Sequence, residues 1–355
     1  MGGKIATSTQ PRRIVILDVG HGNATVIEVA AEVIVIDTGD RTTLLEFLTR
    51  EKIATISAIY LSHADRDHIG GLAQVLASKM VRIEEVYLNT DSMKKSASWD
   101  DLLFELDVAD NKRELRFTPS LTTDNGRRFK DGRVLLEVLG PSKYLAARGP
   151  GATDRDDRTI DTNSISAVLR IVQDKDPILL LAADIDEVGV DDLLRSRKDL
   201  RTRVLLFPHH GGTAGRGNVF SLAEKLRASV NPEAVIFSIA RGRDKHPRPD
   251  VVTHVRDHWN CRIACTQLTR YCAKSRPKEE PRHLTDTFAD GRAGRRCCAG
   301  SLVIELDRVG VLLPSTAAHQ DFISANAPTA LCRRPTDKAE ARAKTGKQTQ
   351  AVAVC

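Results

Sequence analysis

Apolar residues fall along this chain in short runs separated by polar turns. Ile14-Val15-Ile16-Leu17, Val26-Ile27 and Val33-Ile34-Val35-Ile36 are continuous and rich in β-branched residues, which predicts strands near 13–18, 24–29 and 32–37. A helix is expected near 41–50, then a short buried strand from Ser57 to Leu61. Helices near 70–78 and 97–108 follow, the first opened by Gly70-Gly71 and carrying Leu72, Val75 and Leu76. Residues 113–158 read as polar and lid-like, with Gly149-Pro150-Gly151 and an acidic run from Asp154 to Asp161. From Ile165 to Cys265 strands and helices alternate again, with strands at Ile165 to Val172, Pro177 to Ala182 and Val204 to Phe207, and Gly300 to Ile304 reads as a final strand. The class is α/β.

Three of the strands end in side chains that suit a metal ion. Ser57 to Leu61 runs into Ser62-His63-Ala64-Asp65-Arg66-Asp67-His68-Ile69-Gly70-Gly71, two imidazoles and two carboxylates within six residues. Imidazole nitrogen and carboxylate oxygen suit Zn²⁺, Mn²⁺ and Fe²⁺, and four such donors divide readily between two adjacent ions. A solvated loop is the plain alternative, but charge gathered at the end of a buried strand calls for a cation to offset it. The strand before Ala183-Asp184 ends in a carboxylate, and the strand before Pro208-His209-His210-Gly211 ends in paired histidines. Taken singly, Asp184 could cap a helix, since Glu187 stands three residues later.

With these residues the chain resembles the metallo-β-lactamase fold, and within it the hydrolase domain of ComEC-type competence DNA-uptake proteins. The matching pieces are Leu17-Asp18-Val19-Gly20-His21-Gly22-Asn23-Ala24, Val35-Ile36-Asp37-Thr38-Gly39, the Ser62 to Gly71 loop, Asn163-Ser164, Ala183-Asp184, Pro208-His209-His210-Gly211 and His246-Pro247. The resemblance implies an αββα sandwich, two mixed sheets flanked by helices, in one domain over 12–315. Residues 1–11 would then be a flexible N-terminus and 316–355 an extension, disordered after about 335 where Ala, Lys, Thr and Gln prevail. It also implies two divalent ions, zinc or manganese. One would lie at His63, Asp65 and Asp184, the other at Asp67, His68, bridging Asp184 and His209, with His210 left for the substrate phosphate or a proton. Asp18, His21, Asp37, Asn163 and His246 fall around the ligands or the substrate.

Asp65 replaces the second histidine of the superfamily's His-x-His-x-Asp-His motif, as in the ComEC-like branch, and no histidine lies between His68 and His209. The usual third histidine of the first ion is therefore missing, and Asp161, Asn163 or water would fill its place. Oxygen donors shift preference toward Mn²⁺ or Mg²⁺, so the two ions should differ in affinity. The leading expectation is a phosphodiesterase or nuclease in which Asp67 and Asp184 orient an activated water and His210 assists the leaving group. Hydrolysis of a non-nucleotide ester, peptide or lactam is the second reading, and a subunit of a bacterial defence system the third.

At 355 residues and 41% apolar content the chain can bury a large core. It contains no 18-residue apolar run, and Met1 to Pro11 lacks a signal peptide's apolar centre, so a soluble cytoplasmic protein without membrane association is expected. Arg270 to Arg296 and Arg333 to Cys355 each carry a net +4 of the chain's formal +6, leaving the remainder slightly acidic. The first basic segment could attract nucleic acid, although a solvated flexible loop is the simpler account of it. All seven cysteines follow residue 260. Cys265, Cys272, Cys297 and Cys298, with His283, suggest a structural zinc ion in a Cys-rich basic insert over 266–299, against ordinary buried thiols.

Overall fold

The computed structural model describes residues 11–334, apart from 197, 214–216, 244, 285–286 and 309–310. The expectations of a flexible segment before residue 11 and a disordered tail after about 335 lie outside the described residues. Among those described, the strands form two large mixed sheets. One runs Val311–Leu313, Leu302–Glu305, Arg12–Ile16, Thr25–Val29, Glu32–Ile36, Ala58–Tyr60, Glu85–Tyr87, Arg116–Thr118. The other runs Arg262–Cys265, Ala234–Phe237, Val204–Leu206, Asp176–Leu181, Val168–Gln173, Val134–Gly140, Arg127–Arg128.

Strand periodicity explains the layers. Ile14, Ile16, Ile27, Ile34 and Ile36 point one way, into a core shared with Val204, Leu206, Ala234 and Ile236 of the other sheet. Their neighbours Val15, Val26, Val33 and Val35 point the other way, against Leu44, Phe47 and Leu48 of the helix Thr43–Arg50 and Ile69, Leu72 and Val75 of the helix Arg66–Ser78. On the second sheet Leu205, Phe207, Val235 and Phe237 turn outward, onto the helices Glu187–Arg195, Val219–Val230 and Pro249–His258. Because both faces are covered, the runs are continuously apolar rather than alternating. Each fully buried Leu, Ile or Val adds roughly 1.5–3 kcal/mol over exposure. The result is an αββα sandwich, as the resemblance implied.

Two expectations are corrected. The segment 113–158 is not a lid: Val134–Gly140 is an interior strand paired antiparallel with Val168–Gln173. The metal-motif helix begins at Arg66 rather than Gly70, so Asp67 and His68 stand in its first turn. Among the described residues no helix is long and apolar enough to cross a membrane.

Candidate metal centre

The three strand ends meet at one edge of the sandwich. Asp65 holds the N-cap position of the helix Arg66–Ser78 in an extended conformation but makes no side-chain cap bond. Its carboxylate faces His63 Nε2 at 3.6 Å instead. Gly71 lets this helix press on the turn after Glu32–Ile36, since a Cβ there would sit 2.1 Å from the Thr38 carbonyl oxygen. At the end of Val204–Leu206, His209 and His210 are consecutive left-handed residues, φ 51° and 55°. That backbone costs on the order of 1–3 kcal/mol per residue, and here it brings both imidazoles to the same carboxylate.

Asp184 is that carboxylate, 6% exposed. Its Oδ1 lies 3.3 Å from His68 Nε2 and 3.7 Å from His210 Nε2, and its Oδ2 lies 3.4 Å from His209 Nδ1 and 3.9 Å from His63 Nε2. Asp67 Oδ2 adds contacts of 3.2 Å to His210 Nε2, 3.6 Å to His21 Nε2 and 3.9 Å to His68 Nε2. Behind the imidazoles, Asp37 Oδ2 bonds His68 Nδ1 at 2.7 Å while accepting the Ser62 hydroxyl, and Asp37 Oδ1 accepts the Ser62 N–H. Ser62 Oγ also lies 3.0 Å from His63 Nδ1, and the Ser238 carbonyl lies 2.8 Å from His210 Nδ1. These contacts fix the ring orientations and leave the Nε2 atoms directed at the carboxylates.

Burial disfavours charge on the carboxylates and on His68, but opposite charges outweigh it. Asp184 is held well below the ordinary carboxylate range by His209, His210 and His68, and Asp37 and Asp184 raise the pKa of His68. Asp67 and Asp65 are likewise held low, the first by His210 and His68, the second by His63 and Lys94. For His209 burial prevails and lowers its pKa, which favours the neutral imidazole that a metal ligand requires.

His63 Nε2, His68 Nε2, His209 Nε2, His210 Nε2 and Asp184 Oδ1 are buried without a hydrogen-bond partner. Four unsatisfied imidazole nitrogens and one unsatisfied carboxylate oxygen in one cluster would be costly without a cation. The donor atoms of His63, His68 and Asp184 lie within 4.8 Å of one another, as do those of His21, Asp67 and His210. Nitrogen and oxygen donors gathered within that span have the chemistry to bind divalent ions. Asp37→Ala is therefore expected to lower metal affinity by about 10–100-fold with the fold intact, which metal titration alongside circular dichroism would check.

Of the remaining sequence candidates, His21 and His246 border the centre, whereas Asp18 and Asp161 are engaged by other partners. Asp18 is fully buried, but its oxygens accept the backbone N–H of Gly20 and Gly291 and the Gln267 side chain, so it ties the first turn to the basic insert. Asp161 Oδ1 accepts the N–H groups of Asn163 and Ser164 within its own turn. Asn163 Oδ1 is buried with no hydrogen-bond partner. His246 stacks on His21 with ring centroids 5.7 Å apart, and His21 lies 4.4 Å from the His210 ring. Two contacts had gone unread: the Ser62 hydroxyl beneath two ligands, and Lys94, whose ammonium pairs with Asp65. Ser62 was legible as part of the motif; Lys94 lies in a loop with no motif of its own.

Of the four cysteines expected to share a zinc ion, Cys265, Cys272 and Cys298 line one small space and Cys297 lies outside it. Cys297 Sγ lies 3.4 Å from Asp18 Oδ2, whereas Cys298 Sγ lies 3.2 Å from His319 Nε2 in a small space that Cys265, Cys272 and Cys332 also line. Among the described residues no three of these thiol and imidazole donors come within 4.8 Å of one another.

The profile of the metallo-beta-lactamase superfamily matches residues 17–226. No curated protein matches the chain. Among solved structures it is similar to Tm1679, a metal-dependent hydrolase of the beta-lactamase superfamily, at 15% identity over 71% of this chain and 95% of that one, with a TM-score of 0.46. It is also similar to the metallo-beta-lactamase fold protein YhfI from Bacillus subtilis, at 11% identity over 71% and 96% of the two chains, TM-score 0.44. Igni18, a metallo hydrolase from Ignicoccus hospitalis, is 13% identical over 71% and 94%, TM-score 0.43. These likenesses are too distant to bear on activity.

Proposed function

This chain belongs to the metallo-β-lactamase superfamily of metal-dependent hydrolases, and we propose that within it the protein is a phosphodiesterase acting on nucleic acid. The observation that carries the reading is Asp184, whose Oδ1 faces the unsatisfied Nε2 atoms of His68 and His210 while its Oδ2 faces His63 and His209. A shared carboxylate between paired sites suits in-line displacement at a phosphate ester.

His68, Asp67, His210 and Asp184 Oδ1 would hold one ion, and His63, Asp65, His209 and Asp184 Oδ2 the other. In this arrangement His210 takes the place beside Asp67 and His68 that the sequence suggested for His209, and His209 joins the other ion. His210 Nε2 sits 3.2 Å from Asp67, which supports a ligand role for it over a substrate contact. When bound, the ions supply Lewis acidity, lowering the pKa of water toward neutrality and offsetting charge on the ester. Asp37, Ser62 and the Ser238 carbonyl hold the imidazoles in register. His21, with its ring between those of His210 and His246, is placed to give a proton to the departing oxygen.

The basic insert adds to the case for a polyanionic substrate. The Arg270 guanidinium lies against Gly242, so the insert packs on the loop that leads to His246, and Arg241 is bonded to the backbone of Leu268 and Ala273. A phosphodiester strand leaving the centre would cross this positive rim. Protein loaded with Mn²⁺ should hydrolyse bis-p-nitrophenyl phosphate and cleave labelled DNA or RNA. Turnover of lactams, esters or peptides with no phosphodiester cleaved would overturn the reading.

A further inference from the structure

The two halves of the centre are unequally furnished. Around Asp184 Oδ1 stand His68, His210 and Asp67, two imidazoles and a second carboxylate. Across Asp184, the donor set includes Asp65, and Asp65 is already engaged. Lys94 Nζ donates to its Oδ1, leaving Oδ2 to face His63.

Lys94 is held for this position. The Asp91 carboxylate, 3% exposed, accepts the N–H groups of Met93 at 3.0 Å and Lys94 at 3.1 Å, as well as the Thr162 hydroxyl. The Trp99 indole N–H bonds the Asp91 carbonyl at 3.2 Å and anchors the same turn to the helix Ala97–Asn111. The Lys94 side chain is 26% exposed, so most of its length is packed while its ammonium stays at the mouth of the centre.

We infer that Lys94 makes the centre asymmetric: its ammonium disfavours a divalent ion at His63, Asp65 and His209 and itself supplies positive charge for an anionic oxygen of the substrate. A cation bonded to a ligand carboxylate withdraws one of its two oxygens and repels an incoming ion in a partly desolvated site, where screening is weak. An ammonium has three donors, and the bond to Asp65 leaves two for a phosphoryl oxygen. The protein therefore holds one ion tightly, at Asp67, His68, His210 and Asp184, and a second one weakly. The statement about the anion rests on the phosphodiesterase reading, whereas the statement about the ions does not.

The test compares dialysed wild type with Lys94→Met, which keeps the length of the side chain and removes its charge, and with Lys94→Gln as a second neutral variant. Mn²⁺ titration by calorimetry should show one tight and one weak site in the wild type. In both variants the weak site should tighten by about tenfold with the tight site unchanged, while inorganic phosphate binding to the metal-loaded protein weakens by about tenfold. Lys94→Arg should restore phosphate binding. Two equally tight sites in the wild type, or a second-site affinity unmoved in variants of unchanged melting temperature, would overturn the inference. A tightened second site in a protein that cleaves no phosphodiester would instead sink the substrate reading and leave the asymmetry standing.

Discussion

Replacing Asp184 with alanine is expected to abolish activity and empty both metal positions together, the largest effect of any single change in this protein. Asp184 Oδ1 faces His68 and His210, and Oδ2 faces His209 and His63, so one truncation strips a donor from each set. It also removes the negative charge that compensates four surrounding imidazoles. Turnover should fall by about a thousandfold or more, beyond the 10–100-fold typical of losing an outer partner such as Asp37. The fold should survive, because Asp184 lies beyond the end of Asp176–Leu181 and is not part of either sheet's hydrogen bonding. Metal analysis after dialysis, set beside a thermal melt, separates the outcomes. Retention of one full equivalent of ion by the variant would show that the carboxylate is not shared.

Much of this was legible in the sequence because burial on both faces leaves continuous apolar runs, and each metal segment follows directly on such a run. What escaped has identifiable physical causes. Val134–Gly140 was absorbed into a polar stretch because Leu135 and Glu137 on its outer face are only half-buried and its neighbours are turns, so average composition masked an interior strand. Cys297 and Cys298 share the Cys-rich segment after residue 260 and so read as one ligand set. In extended chain, adjacent side chains leave on opposite sides, and one turns to Asp18 while the other turns to His319. The resemblance of the segment Leu17 to Ala24 puts Asp18 beside the centre, yet its carboxylate turns toward Gln267 and Gly291. Lys94 carried no local signal: it meets Asp65 only through the packing of the turn held by Asp91 and Trp99.

The paired histidines give the second large effect, because sequence alone left open which of them binds metal. His210 is 3% exposed, its Nδ1 is fixed on the Ser238 carbonyl, and its unsatisfied Nε2 lies within 3.7 Å of both Asp67 and Asp184. His209 reaches Asp184 from the other side, through Nδ1 at 3.4 Å, on the half of the centre that Lys94 disfavours. His210→Ala should therefore weaken the tight ion by about a hundredfold and lose most turnover at limiting metal. His209→Ala should keep the tight ion and lose only the weak one. Because both residues occupy left-handed backbone, alanine at either position carries a similar conformational cost, so the two variants control for each other in stability. Metal titrations of the pair, read with kcat at saturating Mn²⁺, decide the assignment. A His210→Ala protein that holds its tight ion undiminished while His209→Ala loses it would return the ligand role to His209 and leave His210 to the substrate.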